Sequence, residues 1–157
     1  MNQESHWASN YIGKPWRVAS DGPDAFDCWG LVVEVQRRLF GRRMDTIHVE
    51  PENLRLLIRT IRQHPIRREW QPTVYQREGD LALLRQSRHP VHVGVWLDVD
   101  GGGVLHCLRG CGVVFQTLAS LRLSGWQIES FYTYIGDLNH DRDGHPSPQP
   151  VSAGTQP

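Results

Sequence analysis

The chain has 157 residues, 39% of them apolar and 22% charged, with six Trp, which fits one domain with its own core and excludes disorder over most of its length. Seventeen basic residues face seventeen acidic ones, so nucleic-acid binding driven by bulk charge is excluded. No apolar run approaches a membrane span, and the polar start Met1-Asn2-Gln3-Glu4-Ser5-His6 carries no Sec-type signal peptide.

In chain order, Ser5 to Ile12 predicts a short helix closed by Gly13, and Gly22-Pro23-Asp24 a loop. From Cys28 to Phe40, Trp29, Leu31, Val32, Val33, Val35, Leu39 and Phe40 cover most of a helix circumference, which predicts a central, buried helix stopped by Gly41. After Pro51, Leu54, Leu57, Ile58 and Ile61 recur at helical spacing. The period then changes. Leu81–Leu84, Val91–Val99, Gly103–Leu108, Val113–Gln116 and Phe131–Ile135 read as strands, with a turn at Asp100-Gly101 and a short helix over Leu118–Leu123 ended by Gly125. Helices followed by an antiparallel meander define an α+β domain over residues 1–139. Residues 140–157, rich in Pro, Ser and Gly, read as a flexible tail. Asn139, Asp141, Asp143 and Gly144 imitate the opening of a calcium loop, but Pro150 stands where the closing Glu belongs.

The chemistry concentrates around Cys28. At the first turn of the buried helix its thiol meets unpaired N–H groups and the positive end of the helix dipole, which lower a thiol pKa. Asp27 occupies the N-cap position, its carboxylate engaged by backbone N–H groups. On the helix alone, a reactive thiol and a buried structural one read equally well. A nucleophilic Cys needs a base and the base an orienting group. Of the eight His, His6, His64, His140 and His145 stand in polar contexts and read as solvated, and His48 and His89 flank loops. If Asp98 to Gly102 form a turn, Leu97 faces Gly103 and His92 faces Leu108. His106 then lies one diagonal step from His92 on the same sheet face. Cys107 and Cys111 read by default as buried thiols; a disulfide between them or a zinc site with the two His fits less well, because His106 and Cys107 point to opposite faces. No metal or other cofactor is expected.

Asp27-Cys28-Trp29-Gly30-Leu31, Gly79-Asp80-Leu81, His92-Val93-Gly94-Val95-Trp96 and Val104-Leu105-His106 resemble, in order and spacing, the NlpC/p60 cysteine peptidases, from about Tyr11 to Ile135. The Trp after the cysteine, Gly112-Val113-Val114-Phe115, Leu121-Arg122-Leu123 and Phe131-Tyr132 are most similar to the branch found in phage tails and gene transfer agents. The resemblance implies a papain-like fold with the cysteine helix packed on an antiparallel sheet. It also implies Cys28 as nucleophile, His92 as general base, His106 as the residue orienting His92, and the Cys28 backbone N–H as an oxyanion donor. Where the family commonly has Tyr followed by Gly-Gly, this chain has Trp16 followed by Ala19-Ser20. Trp16 reads chiefly as a packing residue, with an oxyanion or groove role as the alternative.

The implied function is a cell-wall cysteine endopeptidase cutting the peptidoglycan stem after D-glutamate, before a diamino acid. It would be carried in a phage-type tail after cytoplasmic synthesis, beside tail-tip or hub proteins, opening the wall during DNA delivery. The competing readings are a structural tail-tip component with an idle site, and a thiol amidase or acyltransferase on the same fold.

Overall fold

A computed structural model of the protein describes residues 5–44, 69–86 and 89–136. The expected helix after Pro51 and the 140–157 tail, with its calcium-loop imitation, lie outside the described residues.

Helix α1 (Cys28–Phe40) has the bounds its pattern predicts. Asp27 caps it, its Oδ1 accepting from the Gly30 N–H at 2.6 Å, and Gly41 closes it in the left-handed conformation at φ 64°. Arg37 and Arg38 stand in the last turn, where the dipole is negative, and both reach the buried Glu34. Six strands follow: β1 (Trp70–Thr73), β2 (Leu81–Gln86), β3 (His89–Leu97), β4 (Gly103–Leu108), β5 (Gly112–Thr117) and β6 (Gln127–Tyr134), with the short helix α2 (Leu118–Leu123) between the last two. They form one antiparallel sheet in the order β1-β6-β2-β3-β4-β5. The α+β architecture read from the sequence is the one observed.

Strand alternation gives the sheet two apolar faces. One, with Leu81, Leu83, Val93, Val95, Leu97, Leu105, Cys107 and Val113, packs under Trp29, Leu31, Val32 and Val35 of α1. The other, with Ala82, Leu84, Trp96 and Val104, packs against Leu121 of α2 and Trp126. Leu31 is fully buried, and its truncation to Ala costs about 2–5 kcal/mol by analogy with other core leucines. The buried Gln36 ties helix to sheet, its amide donating to the Gly79 carbonyl at 2.7 Å. Gly79-Asp80 in turn lock the start of β2 to Trp96 through two backbone hydrogen bonds of 2.9 and 2.8 Å.

Beyond the slightly longer β2 and β5, the N-terminal helix and three strands differ from expectation. The N-terminal helix is only a 3-10 turn, Trp7–Asn10. Strand β1 goes unread in the sequence because Pro72 argues against a strand; it is tolerated at the sheet edge, where one side of the strand needs no ladder. Strand β3 starts earlier and stops at Leu97, because the Gly102 N–H bonds the Val99 carbonyl and closes the turn. Strand β6 begins at Gln127, paired with Arg85, rather than at Phe131.

Candidate active site

Cys28 opens α1 and is half-buried. The backbone N–H groups of Trp29, of Val93 on β3 and of Cys28 itself lie close enough to the sulfur to favour its thiolate. The Val93 N–H brings the strand position next to His92 near the thiol. Two glycine-dependent contacts hold the helix tip there. Asp27 N–H donates to the Ser20 carbonyl at 2.8 Å, and a Cβ on Gly30 would overlap that same carbonyl oxygen. The Gly of Asp-Cys-Trp-Gly is therefore the residue that lets loop 20–21 lie across the helix.

The helix tip alone would lower the thiol pKa, but the net shift is upward. Burial, reinforced by the Asp27 carboxylate, pushes Cys28 up to about 12, outweighing the three N–H groups. Cys28 in the free protein is a neutral thiol.

The predicted turn registers β3 on β4: Leu97 pairs with Gly103, Trp96 with Val104 and Val95 with Leu105. Beyond that ladder the two imidazoles meet, with His92 Nε2 2.7 Å from His106 Nδ1 and the rings tilted by 66°. Both are buried, His92 at 6% exposure and His106 at 0%. Burial, aided by the charge His106 would carry, holds His92 well below the usual imidazole range; burial likewise brings His106 down to about 4. Both are neutral near pH 7.

Two residues outside the sequence reading complete this side. Trp126 lies along His92 at 5.0 Å and edge-on to His106 at 6.2 Å, walling the pair from solvent. Gln116 Oε1 lies 2.8 Å from His106 Nε2. The only available signal for Gln116 is its pairing on β5 opposite Val104, two residues before His106 and on the same face.

Trp16 is partly buried against the core and forms a backbone bridge to Phe26, two residues before Cys28, with Arg109 over its ring at 5.2 Å. It therefore both packs and flanks the segment leading into Cys28. Ala19, at the family's glycine position, has φ 51°, the left-handed region that glycine adopts freely. Cys107 is buried on the α1 face, its thiol donating to the Phe26 carbonyl at 3.2 Å. His106 points the other way, as alternation requires. Cys111 is exposed rather than buried, since it follows Gly110 in the β4–β5 turn. His6 is likewise not merely solvated: its Nδ1 caps the 3-10 turn and its Nε2 lies 3.2 Å from Glu78.

The arrangement is thus a thiol at the tip of a helix packed on an antiparallel sheet, with a buried, hydrogen-bonded imidazole pair on that sheet. The NlpC/P60 family model matches residues 13–131, and the chain belongs to that family; NlpC/P60 proteins are cysteine peptidases and amidases. Among solved structures, the NlpC/p60 domain of the peptidoglycan hydrolase SagA is 20% identical, with 82% of this chain and 92% of that one covered at a TM-score of 0.52. NlpC2 from Trichomonas vaginalis is 21% identical at a TM-score of 0.52, and NlpC1 from the same organism 19% at 0.50. This chain covers 80% of its own length in both but spans only 45% and 42% of theirs. These likenesses establish the fold. No curated protein sequence matches the chain.

Proposed function

We propose that the protein is a cell-wall cysteine endopeptidase acting on the peptide stem of peptidoglycan, with Cys28 as nucleophile, His92 as general base and His106 orienting His92. The observation carrying this reading is the 2.7 Å contact between the two buried imidazoles, with His92 adjacent on β3 to Val93, whose backbone N–H faces the Cys28 thiol at the tip of α1.

Because thiol and imidazole are both neutral at rest, the proton leaves sulfur as the carbon–sulfur bond forms. His92 takes the thiol proton while the sulfur attacks the scissile carbonyl, whose oxygen becomes an oxyanion. The Cys28 N–H, at the open first turn of α1, donates to that oxyanion. Collapse breaks the carbon–nitrogen bond, His92 returns the proton to the leaving amine, and a thioester remains on Cys28. Water, deprotonated by His92, then releases the acid and regenerates the thiol.

The bond after D-glutamate, before a diamino acid, is the proposed target, and a phage-type tail the proposed location, with tail-tip or hub proteins as neighbours. The support for a tail-borne enzyme is the sequence likeness at Trp29, Gly112–Phe115, Leu121–Leu123 and Phe131-Tyr132. Among the described residues no helix is long and apolar enough to cross a membrane. Digestion of purified peptidoglycan, read by product mass spectrometry, tests the reading. Wild type is expected to release fragments cut before the diamino acid, and Cys28→Ala none. Absence of wild-type fragments, or their release by Cys28→Ala, overturns it. Fragments cut instead between sugar and peptide would identify an amidase.

A further inference from the structure

We propose that Gln116 is a positioning residue that sets the proton arrangement of the histidine pair, so that His92 presents a bare Nδ1 as the base; this rests on the peptidase reading above. The reasoning starts from the carboxamide. Its two ends differ, one carrying two N–H donors and the other only acceptor capacity. Gln116 Nε2 lies 3.0 Å from the Ser120 hydroxyl and 3.0 Å from the Ser124 hydroxyl. The amide nitrogen thus donates to both hydroxyl oxygens, and Oε1 faces His106 Nε2 at 2.8 Å.

The consequences pass through the network one proton at a time. A carbonyl oxygen only accepts, so His106 must carry its proton on Nε2. His106 is neutral, and its Nδ1 is then a bare acceptor. That nitrogen lies 2.7 Å from His92 Nε2, so His92 must carry its own proton on Nε2. His92 Nδ1 is left with a free lone pair. Turning the amide over reverses every step: His106 would donate from Nδ1, and His92 would hold its proton on Nδ1 and could not accept one from the thiol.

The fold supplies the anchor for this amide. Thr117 caps α2, its hydroxyl accepting from the Ser120 N–H at 3.2 Å, and Ser120 and Ser124 stand four residues apart on one helix face. The turn of helix between β5 and β6 thus carries two hydroxyls to the far end of Gln116. Because both imidazoles are buried, water does not equalise their tautomers.

The test is nitrogen-15 NMR of histidine-labelled protein at neutral pH, which reports which ring nitrogen carries the proton, together with kcat and KM on a stem peptide. Wild type is expected to show both His92 and His106 protonated on Nε2. Gln116→Leu is expected to mix the tautomers and lower kcat by about 100-fold with KM little changed. Gln116→Glu keeps an acceptor, and so is expected to keep the wild-type tautomers and to raise the pH of the acid limb. Ser120→Ala/Ser124→Ala, which leaves the sheet untouched, frees the amide to turn and is expected to give a mixture. A wild-type His92 protonated on Nδ1 overturns the proposal, as do wild-type tautomers surviving both in Gln116→Leu and in the double serine variant. The expected tautomer pattern in a wild type that cuts no wall peptide would support the role of Gln116 while removing the peptidase reading.

Discussion

Gly94 lies against His106: a Cβ at position 94 would stand 3.0 Å from the His106 Cβ and overlap Cγ1 of Val104. The glycine of His92-Val93-Gly94-Val95-Trp96 thus stands across from His106, two residues from His92, and leaves β4 room to approach. Gly94→Ala is expected to force the strands apart, costing about 1–3 kcal/mol of stability. Activity should fall further, by about 100-fold, because the imidazole contact lengthens. Chemical denaturation and stem-peptide kinetics on the same sample check both.

The resting charge state gives a second prediction. With the thiol pushed up to about 12 and both His neutral, iodoacetamide should alkylate Cys28 faster as pH rises through 9 and beyond. A plateau near neutrality would instead indicate a preformed thiolate. A Cys111→Ser background removes the exposed thiol from the measurement.

Asp27 both caps α1 and raises the Cys28 pKa, and the two roles separate in Asp27→Asn. Asn caps about as well, so stability should change by less than about 0.5 kcal/mol. Alkylation at pH 8 should accelerate roughly 3- to 10-fold as the neighbouring charge disappears.

Stability should depend on pH through the same buried pair. His106 titrates near 4 in the folded chain and near 6.5 when unfolded. Between those values the unfolded state binds the extra proton, so stability is fully present above about pH 6.5 and falls as pH drops toward 4. The loss attributable to His106 is about 3 kcal/mol at most, and His92 shifts in the same direction. Denaturant midpoints measured from pH 7.5 to 4 check this, with His106→Gln expected to flatten the curve.

Ala19 is expected to be the less favourable choice at its left-handed position. Ala19→Gly should stabilise by about 0.5–1 kcal/mol in thermal unfolding, since the relieved Cβ crowding exceeds the added freedom of the unfolded chain.

The parts legible in the sequence are those fixed by local rules. Asp27 and Gly41 bracket α1 as cap and stop, and the turn over Asp98 to Gly102 sets Leu97 opposite Gly103, from which the nearness of His92 and His106 follows. The illegible parts depend on distant segments. Strand β1 pairs with β6, from Trp70 with Tyr134 to Thr73 with Phe131, across most of the sheet-forming sequence, and Pro72 conceals it. The helix tip favours a Cys28 thiolate, but the burial that outweighs it depends on what the fold packs around the thiol, which no reading of residues 24–31 contains. Gln116 and Trp126 join the site only once β5 and the segment after α2 fold back over the imidazoles.

The most direct measurement is intact-protein mass spectrometry of an acid-quenched reaction with a stem peptide, followed by peptide mapping. The account predicts a transient mass increase equal to the acyl part of the stem, held as a thioester on Cys28 and absent from Cys28→Ala. Turnover with no adduct on Cys28, or with the acyl group on another residue, would contradict it.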